Sequence, residues 1–376
     1  MTETEKLLGE LVALPSVNPA FLPEGHRDAG EARVAEYLGA AARRAGLDVD
    51  FQKVAPGRSN VIARLTPAGR IKQRIVLAPH MDTVAPSSEG QFLPRVTKGR
   101  LYGRGACDTK GSIAAMFTAL SVLARERRRP TATEVILAGL IDEENAQAGS
   151  RAFASIGKPV DLAIVGEPTR LRIITAHKGS VWLSIETRGK AAHGSCPELG
   201  KNAVHEMSRV VDWLETDYAR QLRRRRHPLL GCGTISVGSI RGGTQPNIVP
   251  ARCVASADRR TLPGESEKSV RDELRGLLRR RGLIASIEGQ KSHFCLPMET
   301  DPNLPVVKSL LKVARQSKPC GVNYFCDASV LAQAGIPSVV FGPGDIAQAH
   351  TADEWVELKS VDRAAAMLLK FFRALP

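Results

Sequence analysis

The chain has 376 residues, enough at roughly 100–200 residues per domain for about two domains with cores of their own, which excludes a disulfide-stapled miniprotein. Hydrophobic residues at 43% and charged residues at 24% are ordinary globular values, and no apolar run approaches the ~18 residues that span a bilayer, so no membrane partner is expected. The balance of 53 Lys and Arg against 39 Asp and Glu leaves a net charge of +14, which raises the question of a nucleic-acid partner.

The arginine clusters at 127–129, 223–226 and 279–281 are not interleaved with aromatics, which make up only 5% of the chain. A surface that stacks single-stranded bases needs both, so solvated helix faces are the expectation and nucleic acid is not. The N-terminal stretch MTETEKLLGELVAL places acids before its apolar residues, unlike a secretory signal, and a cytoplasmic protein is expected. Seven scattered cysteines, 107, 196, 232, 253, 295, 320 and 326, never fall in a CxxC spacing and read as reduced thiols.

In chain order, residues 3–14 and 30–45 place apolar positions at helical spacing, and VDFQKV, NVIARL and RIVLA are short strand-like runs. A helix over 109–125, the strand EVILAGLI, a short helix near 149–155 and the strand DLAIV follow. This alternation predicts an α/β fold with a mostly parallel sheet. From 177 the pattern changes to strand VWLSIETRG, a helix over about 200–219, strands TISVGSI and ARCVASADRR, a helix over 266–281 and strand IASIEG. That βαββαβ order predicts a smaller two-layer α+β domain at 177–291, inserted into a discontinuous domain of 1–176 and 292–376. A helix at 303–316, the run PSVVFGPG and a helix at 360–373 complete the larger domain. The insert holds 21 basic and 12 acidic residues and so carries most of the excess charge.

Three strand-like runs end on potential metal ligands: RIVLAPHMD on His80 and Asp82, EVILAGLIDEE on Glu143 and Glu144, and DLAIVGEP on Glu167. Ligands of α/β sheets bind beyond the carboxyl ends of strands, so these side chains can converge despite their sequence separation. Asp108, in GRGACDTKG, precedes a helix; taken alone it reads equally as an N-cap. His350 follows the last strand in GPGDIAQAHTADEW, where a lone histidine is more often structural. Together His80, Asp108, Glu144, Glu167 and His350 form a mixed nitrogen and oxygen donor set suited to zinc or a related divalent ion, with a carboxylate available to bridge two ions. Five buried ionisable groups at strand ends are costly without such cations.

The segments HMDTVAP, YGRGACDTKG, IDEENAQAGS, GEPT, the AAHGS around His193, the DRRTLPGE around Arg260 and FGPGDIAQAHTADEW resemble, in order, the motifs of the acetylornithine deacetylase and succinyl-diaminopimelate desuccinylase family, with carboxypeptidase G and aminoacylase as relatives. The resemblance spans nearly the whole chain. It implies a di-metal catalytic domain interrupted by a lid or dimerisation domain, two divalent ions with zinc foremost and cobalt as the other candidate, and a homodimer. Position by position, it implies that His80 and Glu167 hold one ion and Glu144 and His350 the other, with Asp108 bridging. Asp82 would fix the His80 tautomer and Glu143 would be the general base. If Glu143 and Glu144 lie in an extended segment, successive side chains point apart and divide these roles.

The resemblance further assigns His193 as a donor to the developing oxyanion, against the plainer reading of a loop histidine. Arg260, in Asp258-Arg259-Arg260, is implied to pair with a substrate carboxylate, and Asn247, in TQPNIVP, to contact substrate. Gly342 and Gly344 would let backbone approach substrate, or simply form a turn. Cys326 reads as a small apolar filler. The implied reaction is hydrolysis of the amide of an N-acyl amino acid, N-acetylornithine first. Succinyl-diaminopimelate desuccinylase, a general N-acyl-amino-acid deacylase and a dipeptidase or glutamate carboxypeptidase are the alternatives.

Overall fold

The computed structural model describes residues 2–127, 129–290 and 295–376. Arg128 of the first arginine cluster and the expected boundary at 291/292 lie outside the described residues. The chain divides into two compact units: Met1–Thr175 with Glu299–Cys320 and Cys326–Pro376, and Ala176–Met298 with Gly321–Phe325. The short return of Gly321–Phe325 to the second unit has no counterpart in the sequence pattern.

In the first unit, the sheet runs in the order Asp48–Ala55, Arg58–Leu65, Thr133–Gly139, Gln73–Pro79, Leu162–Gly166, Ser338–Val340. The last four of these pair in parallel, Leu77 opposite both Leu137 and Ile164, and Val340 opposite Val165. The two at the Asp48 edge are antiparallel, as is the pairing of Ile174 with Val340, so the parallel character is confined to the centre. Continuous apolar runs in the central strands fit burial on both faces. Ile75, Leu77, Val135, Leu137, Leu162 and Ile164 share one core with helices Glu3–Val12, Ala32–Arg44, Lys110–Arg125, Pro305–Val313 and Leu358–Phe372. Because the central strands are parallel, Pro79, Gly139, Gly166 and Val340 all end on the same side.

A small sheet of Arg95–Thr97, Arg100–Tyr102 and Trp355–Glu357 was not anticipated. Its strands are only three residues each, too short to show a period. The Lys98-Gly99 hairpin has positive φ at both residues, as a two-residue turn of that kind requires. By pairing Trp355 with Tyr102, this sheet brings Glu354 to the loop that carries Asp108.

The second unit is an antiparallel sheet in the order Thr234–Gly242, Arg252–Thr261, Gly179–Arg188, Ser286–Gly289. Helices Ala203–Trp213 and Glu267–Arg280 cover one face, where Leu183, Ile185, Ala255 and Ala257 meet Met207, Val210, Val270 and Leu274. Side chains on Arg252–Thr261 alternate strictly, Cys253, Ala255, Ala257 and Arg259 buried between less buried neighbours. The expected single helix over 200–219 is instead two helices joined by a π-helical turn, Leu214–Tyr218, before Ala219–Arg224. Among the described residues, no helix is long and apolar enough to cross a membrane.

Candidate metal centre

The shared polarity of the central strands delivers His80, Glu143, Glu144 and Glu167 to one edge of the sheet, just past Pro79, Gly139 and Gly166. Asp108 comes from the loop before helix Lys110–Arg125. Thr109, not Asp108, occupies the N-cap position, so the capping reading of Asp108 is set aside. Its carboxylate instead spans two imidazoles: Oδ1 lies 3.1 Å from His80 Nε2 and Oδ2 lies 3.3 Å from His350 Nε2. Glu167 Oε1 is 3.8 Å from His80 Nε2, and Glu144 Oε1 is 3.2 Å from His350 Nε2. Two groups result, His80 with Asp108 and Glu167, and Asp108 with Glu144 and His350, each with ligand atoms within 4.8 Å of one another.

Two observations test whether such a set fits cations. Glu167 Oε1, the oxygen turned toward His80, is buried with no hydrogen-bond partner among the described residues. An orphaned carboxylate oxygen in a dry site is expensive unless a cation completes it. The protonation pattern agrees. Burial, reinforced by neighbouring carboxylates, pushes Glu167 and Glu143 well above the usual carboxylate range and raises Glu144 as well. Burial opposes protonation of His80, but Asp108 and Asp82 outweigh it and hold that imidazole well above its ordinary pKa. Hydrogen bonds to Asp108 and Glu144 raise His350 to about 10. Asp108 moves the other way, below the usual range: burial opposes its ionisation, but the two imidazoles outweigh that. The cluster thus carries more negative charge than its own groups neutralise and takes up protons where a divalent ion would serve. The nitrogen and oxygen donors suit zinc or a similar metal.

Around these candidate ligands runs a ring of groups that fix them. Asp82 stands at its centre: Oδ1 accepts the Glu143 N–H and Oδ2 the Glu144 N–H, both at 3.1 Å, and the Asn18 amide donates to Oδ2 at 2.8 Å. His80 Nδ1 faces the Asp82 carbonyl at 3.0 Å and the Asp82 carboxylate at 3.4 Å, so the link to Asp82 runs mainly through backbone. Glu143 and Glu144 lie in a turn over 143–146 and not in an extended segment, entered through Asp142 in the left-handed region at φ 68°. Their placement therefore rests on the turn and on Asp82, not on strand alternation. Asp142 itself is held by Asn18 at 2.9 Å and by Arg58 at 3.1 Å, and Arg58 also pairs with buried Glu31.

Glu354 does the same for Asp108. Its Oε1 accepts the N–H groups of Cys107 and Asp108 at 2.8 and 3.0 Å, while Oε2 accepts the Gly105 N–H and the Arg104 guanidinium at 3.0 and 2.7 Å. Asp327 is a further buried carboxyl, raised to about 7 by burial although Ser150 donates to it at 2.6 Å. None of Asn18, Glu31, Arg58, Asp327 or Glu354 stood out in the sequence. Glu354 left a trace, four residues after His350 in a quoted motif, and Asp327 another, next to Cys326 in NYFCDAS, but nothing in their spacing marked either.

Gly342 and Gly344 sit where the chain after Ser338–Val340 presses on the rest of the unit. A Cβ on Gly342 would meet Ser112 Oγ at 2.2 Å and the Glu167 carbonyl at 2.5 Å; Gly344 has φ +85° and would meet Cys107 Sγ at 2.6 Å. Close approach is required here by the protein itself, beside the Glu167 and Asp108 segments. Cys326 is 1% exposed and its thiol is pushed well up by burial, the behaviour of an inert filler.

The second unit holds the remaining expected residues. Exposed His193 receives the Ser195 N–H at Nδ1, 3.2 Å away, which leaves Nε2 to carry the ring proton, and its segment bridges to Ile248 beside exposed Asn247. Arg260 is clamped at Nε by Asp258 Oδ2 at 2.7 Å, with Ser180 donating to Oδ1 at 2.6 Å and the Phe325 ring 5.9 Å from the guanidinium carbon. Its neighbour Arg259 points to the other face, 0% exposed, bonded to Tyr218 and Glu265 at 3.2 and 2.7 Å.

A sheet whose parallel strands end in two carboxylate and imidazole clusters, joined by one bridging aspartate, defines a metal-dependent hydrolase. Residues 76–374 match the model of peptidase family M20/M25/M40, and the chain belongs to that family. It is 33% identical over 349 residues to the acetylornithine deacetylase of Vibrio campbellii, covering 89% of each chain, and 33% identical over 350 residues to that of Vibrio cholerae, covering 90% of this chain and 89% of the relative. Among solved structures, the M20 family metallo-carboxypeptidase Sso-CP2 from Sulfolobus solfataricus superposes with a TM-score of 0.77 at 20% identity over 99% of both chains. A Bacillus subtilis protein described as a dinuclear metal binding peptidase of the same family gives 0.73 at 14% identity, covering 98% of this chain and 96% of that one.

Proposed function

We propose that the protein hydrolyses the amide bond of an N-acylated amino acid, N-acetylornithine first, releasing acetate and the free amine as a step of arginine biosynthesis. The observation that carries this reading is the Asp108 carboxylate standing between His80 with Glu167 and His350 with Glu144, next to the orphaned Glu167 oxygen. Supporting the substrate are the acetylornithine deacetylases at 33% identity over nine-tenths of the chain. His80 and Glu167 would hold one divalent ion, Glu144 and His350 the other, and Asp108 both; zinc is the first choice and cobalt the second. Such a pair supplies Lewis acidity, lowering the pKa of water and polarising the amide carbonyl.

The chain's own groups do the rest. Glu143, whose backbone Asp82 anchors, takes the proton of the attacking water and passes it to the departing nitrogen. His193, with its proton on Nε2, donates to the carbonyl oxygen as charge develops there. Arg260, its Nε bound by Asp258, turns its remaining N–H groups to the substrate carboxylate, and Asn247 adds a polar contact. Gly342 and Gly344 keep side chains off the wall beside Glu167 and Asp108. The second unit serves as the lid or dimerisation domain of a cytoplasmic homodimer that binds neither nucleic acid nor membrane; the seven free cysteines support a reducing compartment.

The test is a substrate panel of N-acetylornithine, N-succinyl-diaminopimelate and N-acetylmethionine, assayed after chelation and again with zinc or cobalt restored. Preferred turnover of N-acetylornithine is expected. Preference for the succinylated substrate moves the assignment to a desuccinylase, and no turnover of any acetylated amino acid overturns the proposal.

A further inference from the structure

The excess positive charge of the second unit is not spread evenly. Trp213, Asp217, Arg220, Gln221, Arg224, Leu277, Arg280 and Arg281 surround a concavity of about 350 Å³, at the small end of ligand-sized pockets. Four guanidinium groups face one carboxylate there, which leaves the lining three positive charges in excess. Asp217 pairs with Arg220 at 3.0 Å and with Arg281 at 2.5 Å, and no acid is paired with Arg224 or Arg280 among the described residues. Basic residues in the last turn of a helix complement its dipole, and Arg224 and Arg280 end Ala219–Arg224 and Glu267–Arg280 in that way. The dipole explains why each helix ends in arginine. It does not explain why arginines of two helices converge on one hollow, where like charges repel.

The hollow also adjoins the irregular part of the helix layer. Trp213 and Asp217 belong to the π-helical turn or its flank, a rare geometry that is common at functional sites. Within the second unit this is the face opposite Arg260. Arg260 shares its side of strand Arg252–Thr261 with Asp258, whereas Ala255, Ala257 and Arg259 point into the helix-covered core. Guanidinium groups on the helix side therefore belong to a different surface from the one proposed to read a substrate carboxylate.

We propose that this hollow is a binding site for a small polyanion carrying two or more phosphate groups, with Arg220, Arg224, Arg280 and Arg281 as its ligands. Guanidinium forks match phosphate oxygens, and three surplus charges suit a di- or triphosphate better than a single anion. Concavity favours a compact ligand over an extended strand of nucleic acid, which tracks along a groove.

Titration calorimetry of the full-length protein with sodium triphosphate at 150 mM salt tests this, with a 20-nucleotide single-stranded DNA as the comparison. Saturable binding of one triphosphate per chain is expected, weakened about tenfold or more in Arg224→Glu/Arg280→Glu. Arg223→Glu/Arg279→Glu makes the same change in net charge outside the lining and should stay within about twofold. Both pairs leave the metal centre intact, so any heat from chelation persists in each and is subtracted. Arg224→Gln/Arg280→Gln provides the same direction should the reversal not fold. Equal weakening in both Glu pairs reduces the effect to net charge and overturns the proposal, as does absence of saturable binding or tighter binding of DNA than of triphosphate.

Discussion

The carboxyl edge of the parallel strands and the helix face of the second unit use the same residue types to opposite ends. At the strand edge, Glu167, Asp108, Asp82, Glu31 and Glu354 are all less than a tenth exposed. Their charges are desolvated, so every one needs a defined partner, and the partners form rings: Asp82 with two N–H groups and Asn18, Glu354 with three N–H groups and Arg104. On the helix face, pairs such as Lys268 with Asp272 at 2.8 Å stand in water. There the attraction is screened and offset by the entropy of two long side chains. Charge that is buried fixes geometry; charge that is exposed sets potential.

Removal of Glu143, the proposed base, sharpens that contrast most. Glu143→Gln is expected to lower kcat by about 10²–10⁴-fold, the range for a positioned proton carrier, while metal content by atomic absorption stays at the parent level because Glu143 is outside both ligand groups. Loss of metal together with activity would make it a ligand instead. Next, Glu354→Gln should weaken metal binding by about 10–100-fold, since it loosens the loop carrying Asp108 without touching a metal. Unchanged affinity by calorimetry would show that the loop holds itself.

A third test concerns pH. His177 is 0% exposed, its Nε2 has no hydrogen-bond partner among the described residues, and burial lowers its pKa to about 4 from 6.5. The unfolded chain therefore binds a proton between these values that the folded protein refuses. Its contribution to stability is whole above pH 6.5 and falls away as pH drops toward 4, by up to about 3 kcal/mol. Denaturant titrations of the parent and His177→Gln over that window should diverge, the variant losing less stability with acid; parallel curves would remove His177 from the account. Smaller again, Arg260→Lys should raise KM for N-acetylornithine about tenfold with kcat less affected, because an ammonium cannot take the carboxylate in a fork. At the exposed end of the comparison, Lys268→Ala should leave Tm within about 1 °C.

The central strands, most of the helices and the carboxylates and imidazole at the strand ends were legible because each announces itself locally. RIVLA, EVILAGLI and DLAIV are apolar on both faces, and each leads directly into a chemistry-bearing residue. Residues such as Asn18, Arg58 and Asp327 had no such signal, since a lone polar residue in a loop or at the first position of a strand has no period. Glu354 sits just before a three-residue strand, Trp355–Glu357, and Asp142 matters through a backbone angle that no composition reveals. Glu143 and Glu144 were expected in an extended segment and lie instead in a turn.

The arginines show the same limit from the other side. The sequence established how many there are and that the segment from 177 to 291 holds most of the surplus. Only the folded second unit decided that four of them share one hollow, behind the sheet face that bears Arg260. By itself the sequence determined most of the longer elements, the candidate donors and the family motifs, because hydrophobic period and residue chemistry act over a few neighbours. Tertiary structure decided what braces Asp108, how the Glu143–Glu144 turn is held and where the charge gathers, because those depend on contacts between segments dozens to hundreds of residues apart, such as Asp108 with Glu354.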